Sequence, residues 1–176
     1  MKIYFARHGE SESNKKGIIT GTLDSRLTDE GIEQVKKISL EMPTDFSEIY
    51  SCDSTRCQQT TKVFNEKLNI SITYDSRLRQ RDFGSLGGKR WEELGEDLRK
   101  IDRNQEYDYR PLGGEHVDEV RNRIFSFIEN IKSKHLNKKI LVVTSGGIIR
   151  LLYKVINKEI RDFVPNSSIH EFEFND

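Results

Sequence analysis

The run Ile140-Leu141-Val142-Val143 passes directly into Thr144-Ser145-Gly146-Gly147. A strand that is apolar at every position cannot keep one face in water, so it must lie inside a sheet covered on both sides. That requirement restricts the chain to a layered α/β architecture. The rest of the sequence agrees, because β-branched apolar runs alternate with helix-period segments. Strands are expected at Lys2–Ala6, Glu48–Cys52, Ser71–Tyr74 and Ile140–Thr144. An alternating, half-exposed strand at Ile169–Phe174 closes the sheet as an edge. Leu27, Gly31, Val35, Ile38 and Met42 share one helical face, with Thr28 as N-cap and Asp29 and Glu30 in the first turn. Cys57, Thr61, Phe64 and Leu68 form a second stripe, capped by Asp53 or Ser54, and Val117 to Ile131 forms the longest. Ile148–Ile156 is apolar nearly all round and reads as an internal helix. The fold class predicted is a three-layer α/β sandwich, a mostly parallel mixed sheet flanked by helices, in a single domain spanning residues 1–176.

Composition narrows the function classes. Lys and Arg number 29 and so do Asp and Glu, which leaves no basic excess for nucleic acid or an anionic membrane. No apolar run approaches the ~20 residues of a membrane span. Lys2 and Arg7 leave no space for a signal-peptide core, and two cysteines, Cys52 and Cys57, are too few for a disulfide framework. A cytoplasmic location with reduced thiols is expected. The four histidines include no ligand-spaced pair.

Two strand ends carry the chemistry. One is Arg7-His8-Gly9-Glu10 after the first strand and the other is Thr144-Ser145-Gly146-Gly147 after the buried one. Ligands of open α/β sheets bind beyond the carboxyl ends of strands, so the two junctions are expected to wall one anion pocket. An imidazole beside a guanidinium at such an end suits phosphoryl transfer to histidine. The ring nitrogen attacks phosphorus in line while arginine bears the charge on the equatorial oxygens.

From end to end the sequence resembles the histidine phosphatase superfamily, in its phosphoglycerate mutase-like branch. The resemblance rests on Arg7-His8-Gly9-Glu10 with Asn14, on Leu27-Thr28 with Gly31 and Gln34, and on Ser51 to Thr60 with Arg56 inside it. It continues through Leu78 to Gly88, Gly114-Glu115, Ser145 to Arg150 and Pro165-Asn166-Ser167. It implies a phosphoglycerate mutase-like sandwich and hydrolysis of small phosphomonoesters through a phosphohistidine at His8. Phosphate contacts fall to Arg7, Asn14, Arg56 and Gly146, with no metal or other cofactor, which agrees with the histidine spacing. The chain lacks the insertions typical of mutases, which favours hydrolysis.

Two departures bear on activity. Gln80 stands where the family has its proton-donating Glu, and Ser145 stands where it has its second catalytic His. A carboxamide cannot protonate a leaving alkoxide, a loss of roughly 10²–10⁴ in rate. A shorter neutral hydroxyl in place of an imidazole removes a donor to the phosphoryl oxygens. Three readings stay open. The chain is a weak phosphatase using another acid, for which Asp82, Glu115 and His116 lie nearby. Or it is a catalytically inactive member that binds a phosphorylated ligand or a partner. Or it is an ordinary enzyme with introduced substitutions at positions 80 and 145. Gly87, where relatives often have Glu, carries no expectation. His116 is expected to start a helix facing solvent, and Cys52 and Cys57 to pack in the core. The charged stretch from Asp97 to Gly114, with Arg103, Tyr107, Tyr109 and Arg110, is expected to pass over the sheet end, partly helical at most, either as a roof that selects substrate or as a solvated loop. A homodimer is left open.

Overall fold

The computed structural model describes residues 1–135 and 138–174. Strands β1 (Lys2–Arg7), β2 (Glu48–Ser51), β3 (Ile72–Tyr74), β4 (Ile140–Thr144) and β5 (Ile169–Glu173) form one sheet in the order β3-β2-β4-β1-β5. β3, β2, β4 and β1 run parallel, and β5 pairs antiparallel with β1. All five β4 residues are buried. Since alternate side chains leave opposite faces of a strand, both faces of the sheet are covered. The mixed, mostly parallel sandwich expected from the sequence is therefore the observed fold.

The helices are α1 (Glu12–Lys15), α2 (Asp29–Glu41), α3 (Thr55–Leu68), α4 (Glu96–Arg103), α5 (Val117–Lys134) and α6 (Gly146–Leu152). Thr28 caps α2 by accepting from the Gly31 N–H through its hydroxyl at 2.9 Å. Ser54 is the N-cap of α3 but its side chain makes no capping bond. The stripe Val120, Ile124, Phe127, Ile128 and Ile131 is buried along α5. The internal helix starts two residues before the expected Ile148. It loosens into a π-helical segment at Tyr153–Asn157 that ends on left-handed Lys158. The charged stretch from Asp97 to Gly114 is partly helical, with α4 in its first half.

Two glycines explain why β1 and α2 meet as they do. A Cβ on Gly9 would lie 2.6 Å from the Gly31 carbonyl oxygen, and a Cβ on Gly31 would overlap the backbone of Glu10. The loop after β1 thus packs backbone to backbone on the first turn of α2, which no side chain permits. The Thr28 N–H also donates to the Glu10 carbonyl at 2.9 Å. Gly31→Ala should cost about 1–3 kcal/mol by overpacking, read as a lower urea midpoint. A change below about 0.5 kcal/mol would mean that the two segments separate freely.

Candidate active site

The parallel register of β1 and β4 places Arg7 opposite Thr144, and the His8 N–H continues the ladder by donating to the Thr144 carbonyl at 3.0 Å. Both strand ends therefore open on the same edge. Thr144 also donates its hydroxyl to the Leu78 carbonyl at 2.7 Å, which draws the segment after β3 to that edge and brings Gln80 beside Ser145. The Ser145 hydroxyl donates to Gln80 Oε1 at 2.6 Å. α3 is tied in by Gln59 and Thr60, whose side-chain oxygens accept from the Leu27 and Gly9 N–H groups at 2.8 and 3.1 Å. This fixes Arg56, one turn earlier, against the same cavity. On the far side, the Asn166 side chain and the Ser167 N–H both donate to the His8 carbonyl at 3.2 Å.

A cavity of about 570 Å³ opens at this edge, and Arg7, His8, Asn14, Arg56, Gln80 and Ser145 all line it, as does Gly146. These seven residues are thus brought to one pocket. His8 is 4% exposed and its Nδ1 lies 2.8 Å from the Gly9 carbonyl oxygen. A carbonyl only accepts, so Nδ1 carries the proton and Nε2 keeps its lone pair. Burial, followed by the charges of Arg56 and Arg7, holds the imidazole pKa well below its ordinary value. The ring is a neutral base at pH 7.

Arg7 donates through Nη1 to the Val164 carbonyl, while its buried Nε has no partner among the described residues. Burial and then Arg150 and Arg56 lower its pKa to about 10, so it stays charged at pH 7. Arg56 is 3% exposed and donates to the Leu23 carbonyl at 3.3 Å. Among the described residues neither arginine has a carboxylate partner, so both charges remain available to an anion. Asn14 is the N3 residue of the α1 capping box. Its Oδ1 accepts from Ser11 and from Asn166, leaving its own amide N–H groups for the cavity.

The alternative acids do not reach the pocket. Asp82 accepts from the Gly84 N–H, and Glu115 holds Arg123 and the Asp82 N–H. His116 is the N-cap of α5, its Nδ1 accepting from the Asp118 N–H at 3.1 Å, as expected of a helix-start residue. None of the three lines the cavity. The carboxylates that do are Glu10, Glu96, Asp102 and Asp162. Glu10 accepts the Thr28 hydroxyl at 2.9 Å.

Sequence reasoning also missed a buried ion cluster. Arg81, 1% exposed, pairs with Asp102 of α4, which pairs in turn with Arg150 of α6 at 3.0 Å and accepts the Tyr109 hydroxyl at 2.9 Å. Burial opposes the Asp102 charge, but Arg81 and Arg150 together hold its pKa below the usual carboxylate value. Arg81 also lies over the rings of Phe83 and Tyr107, at 4.5 and 4.7 Å. A Cβ on Gly147 would overlap Arg81 and lie 2.6 Å from Gln80 Oε1, so the second glycine of Gly146-Gly147 is needed for this packing. Tyr107 and Tyr109 are buried and stacked, 5.1 Å apart and 13° from parallel, so this part of the stretch is not a solvated loop. Arg103 lines the cavity, whereas Arg110 is an exposed partner of Asp108. Cys52 and Cys57 are free and buried, as expected of core residues. Among the described residues no helix is long and apolar enough to cross a membrane, and no three His, Cys, Asp or Glu side chains cluster as metal ligands.

Comparison with known proteins accords with this geometry. The chain is 30% identical to phosphoglycerate mutase-like protein 4 of Arabidopsis thaliana, over 99% of this chain and 80% of that one. It is 29% identical to phosphoserine phosphatase 1 of Hydrogenobacter thermophilus, over 87% and 74%. Its fold superimposes on the phosphoglycerate mutase from Thermus thermophilus with a TM-score of 0.82 at 26% identity, covering 99% and 94% of the two chains. A mycobacterial glucosyl-3-phosphoglycerate phosphatase shares the fold with a TM-score of 0.86 at 20% identity, over 97% and 90%. The model of the histidine phosphatase superfamily (branch 1) matches residues 3–176. The chain belongs to the histidine phosphatase superfamily.

Proposed function

We propose that the protein hydrolyses phosphomonoesters through a phosphohistidine on His8, with activity reduced by Gln80 and Ser145. The observation that carries this reading is a buried imidazole, its Nδ1 hydrogen tied to the Gly9 carbonyl, beside two arginines without carboxylate partners among the described residues. Membership of a family with phosphatase relatives supports hydrolysis as the reaction class. His8 Nε2 attacks phosphorus and the bond to the ester oxygen breaks. Arg7 and Arg56 stabilise the charge on the equatorial oxygens, and the Asn14 amide adds a neutral donor. Water then attacks phospho-His8, releasing phosphate and the free imidazole.

Proton transfer is the weak step. Gln80 occupies the place from which an acid would protonate the leaving oxygen, and its amide cannot do so. Its Oε1 is already engaged by Ser145. An aryl oxide leaves without protonation, whereas an alkoxide requires it. Hydrolysis of the intermediate needs a base to activate water, and position 80 supplies none. With an aryl phosphate, formation of phospho-His8 should therefore outrun its breakdown. Intact-protein mass spectrometry should detect one added phosphoryl group, lost in acid and absent in His8→Gln. Gln80→Glu with Ser145→His should remove the accumulation and raise turnover by ~10²–10⁴. No labelling, together with a silent double variant, would favour the reading of a non-catalytic phospholigand binder.

The state of His8 gives an independent check. Because its folded pKa lies below the unfolded value of about 6.5, the unfolded chain binds the extra proton first. His8 therefore costs no stability above that pH, and stability falls as pH drops from about 6.5 toward the folded pKa. His8→Gln should lessen the acid-side loss in a series of urea melts at different pH values. In the native protein, the His8 ring resonances should stay in the neutral form at pH 6. A titration midpoint at or above 6.5 would contradict the neutral nucleophile.

A further inference from the structure

The pocket's cations are not equally free. Arg7 and Arg56 bond to backbone carbonyls, whereas Arg99 and Arg103 share Glu96, at 2.9 and 2.5 Å, and Arg150 is held by Asp102. The charged side chains lining the cavity are five arginines and four carboxylates, a net charge of +1. Arg81, paired with Asp102 just behind the wall, brings the sum to +2, so a bound phosphoryl dianion neutralises the site. A second anionic group on the substrate would then find no net positive charge, two arginines that already share Glu96, and the carboxylate of Asp162 at the cavity wall. Its desolvation is then not offset by any net Coulomb attraction.

Beside the polar side chains, the apolar part of the wall is Ile18, Phe83, Trp91, Phe163 and Val164, three of the five aromatic. Phe83 and Trp91 meet edge to face with ring centroids 5.5 Å apart, and Ile18 lines the cavity beside them. Phe163 is 65% exposed at the opening, its ring 5.5 Å from the Arg7 guanidinium carbon. Exposed aromatic surface at the mouth of a phosphate site favours an apolar group that covers it.

Resting on the phosphatase reading, we infer that the substrate is a phosphomonoester of an uncharged alcohol with an apolar or aromatic face, and not a phosphorylated acid. This separates the chain from what the names of its phosphoglycerate and phosphoserine relatives describe. Trp91 and Phe163 select the alcohol, with Phe83 behind Trp91, and Glu96, shared between Arg99 and Arg103, offsets part of their charge and lessens their draw on a carboxylate.

Binding of non-hydrolysable probes tests this whether or not turnover is fast. Inorganic phosphate, benzylphosphonate and phosphonoacetate would be compared by calorimetry on the full chain. Benzylphosphonate should bind about tenfold or more tightly than phosphonoacetate, the scale on which a pocket separates such groups. Trp91→Ala should reduce that ratio about tenfold, and Trp91→Phe should restore most of it. Glu96→Gln, a change at an exposed side chain, should shift the ratio toward phosphonoacetate by about fivefold or more at low salt. Tighter binding of phosphonoacetate than of benzylphosphonate by the unaltered chain would overturn the inference while leaving the phosphatase reading intact. So would a folded Trp91→Ala with an unchanged ratio. Failure of inorganic phosphate itself to bind would overturn both. If either variant fails to fold, the comparison of the two phosphonates on the unaltered chain decides.

Discussion

The site depends on the register of one parallel strand pair. With Arg7 opposite Thr144, the residues that follow β1 and β4 emerge side by side at the carboxyl edge of the sheet. Since successive side chains alternate between faces, a slip of one residue would send Arg7 to the other side and part it from its neighbours. The register is held by full burial of β4 and by antiparallel pairing of β5 on the outer side of β1. It is extended past the strand end by the His8 to Thr144 bond. Everything nearby is then hung from these two ends. Thr144 holds the segment carrying Gln80, and the Gly9–Gly31 contact and Thr60 hold the His8 loop against α2 and α3.

A second constraint is electrostatic. Five arginines line one cavity, and a further one, Arg81, is buried behind it. Such a concentration is tolerable only with interior counter-charge, and Asp102 provides it by bridging Arg81 and Arg150. Asp102 belongs to α4, so one carboxylate ties the segment over the pocket to those bearing positions 80 and 145. Truncating it would leave two buried guanidinium groups with the positive charges uncompensated. The same division of labour leaves Arg7 and Arg56 free for phosphate, because the counter-ions are engaged elsewhere.

Much of this was legible in the sequence, for identifiable reasons. The strands were readable because buried parallel strands are apolar throughout, and α2 because Thr28, Asp29 and Glu30 announce its start. The convergence of Arg7, His8, Arg56, Gln80 and Ser145 followed from strand ends and from resemblance. The bounds of helix α4 were not readable, since Glu96–Arg103 has charged residues at most positions and its single buried side chain is Asp102. A buried carboxylate leaves no apolar periodicity, so neither it nor its partners Arg81 and Arg150 stood out. The alternative acids failed for a related reason. Asp82, Glu115 and His116 are near the pocket in sequence, but their side chains satisfy local backbone and arginine partners.

The direct bond between Ser145 and Gln80 has a consequence for replacing either of them. Ser145 donates to Gln80 Oε1, so each side chain is the other's environment. A Glu placed at position 80 alone would accept the same hydroxyl. That bond stabilises the carboxylate and makes it a poorer proton donor. A His placed at position 145 alone would contact a neutral amide and gain no charged partner to orient it. With both present, the imidazole and carboxyl group can set each other's protonation and the acid becomes usable. Turnover of an alkyl phosphate by the two single variants and the double variant should therefore be non-additive. The double should exceed the product of the singles by about fivefold or more, the lower end of couplings between contacting residues. Independent effects, multiplying within about twofold, would mean that the Ser145–Gln80 bond does not govern the chemistry at this edge.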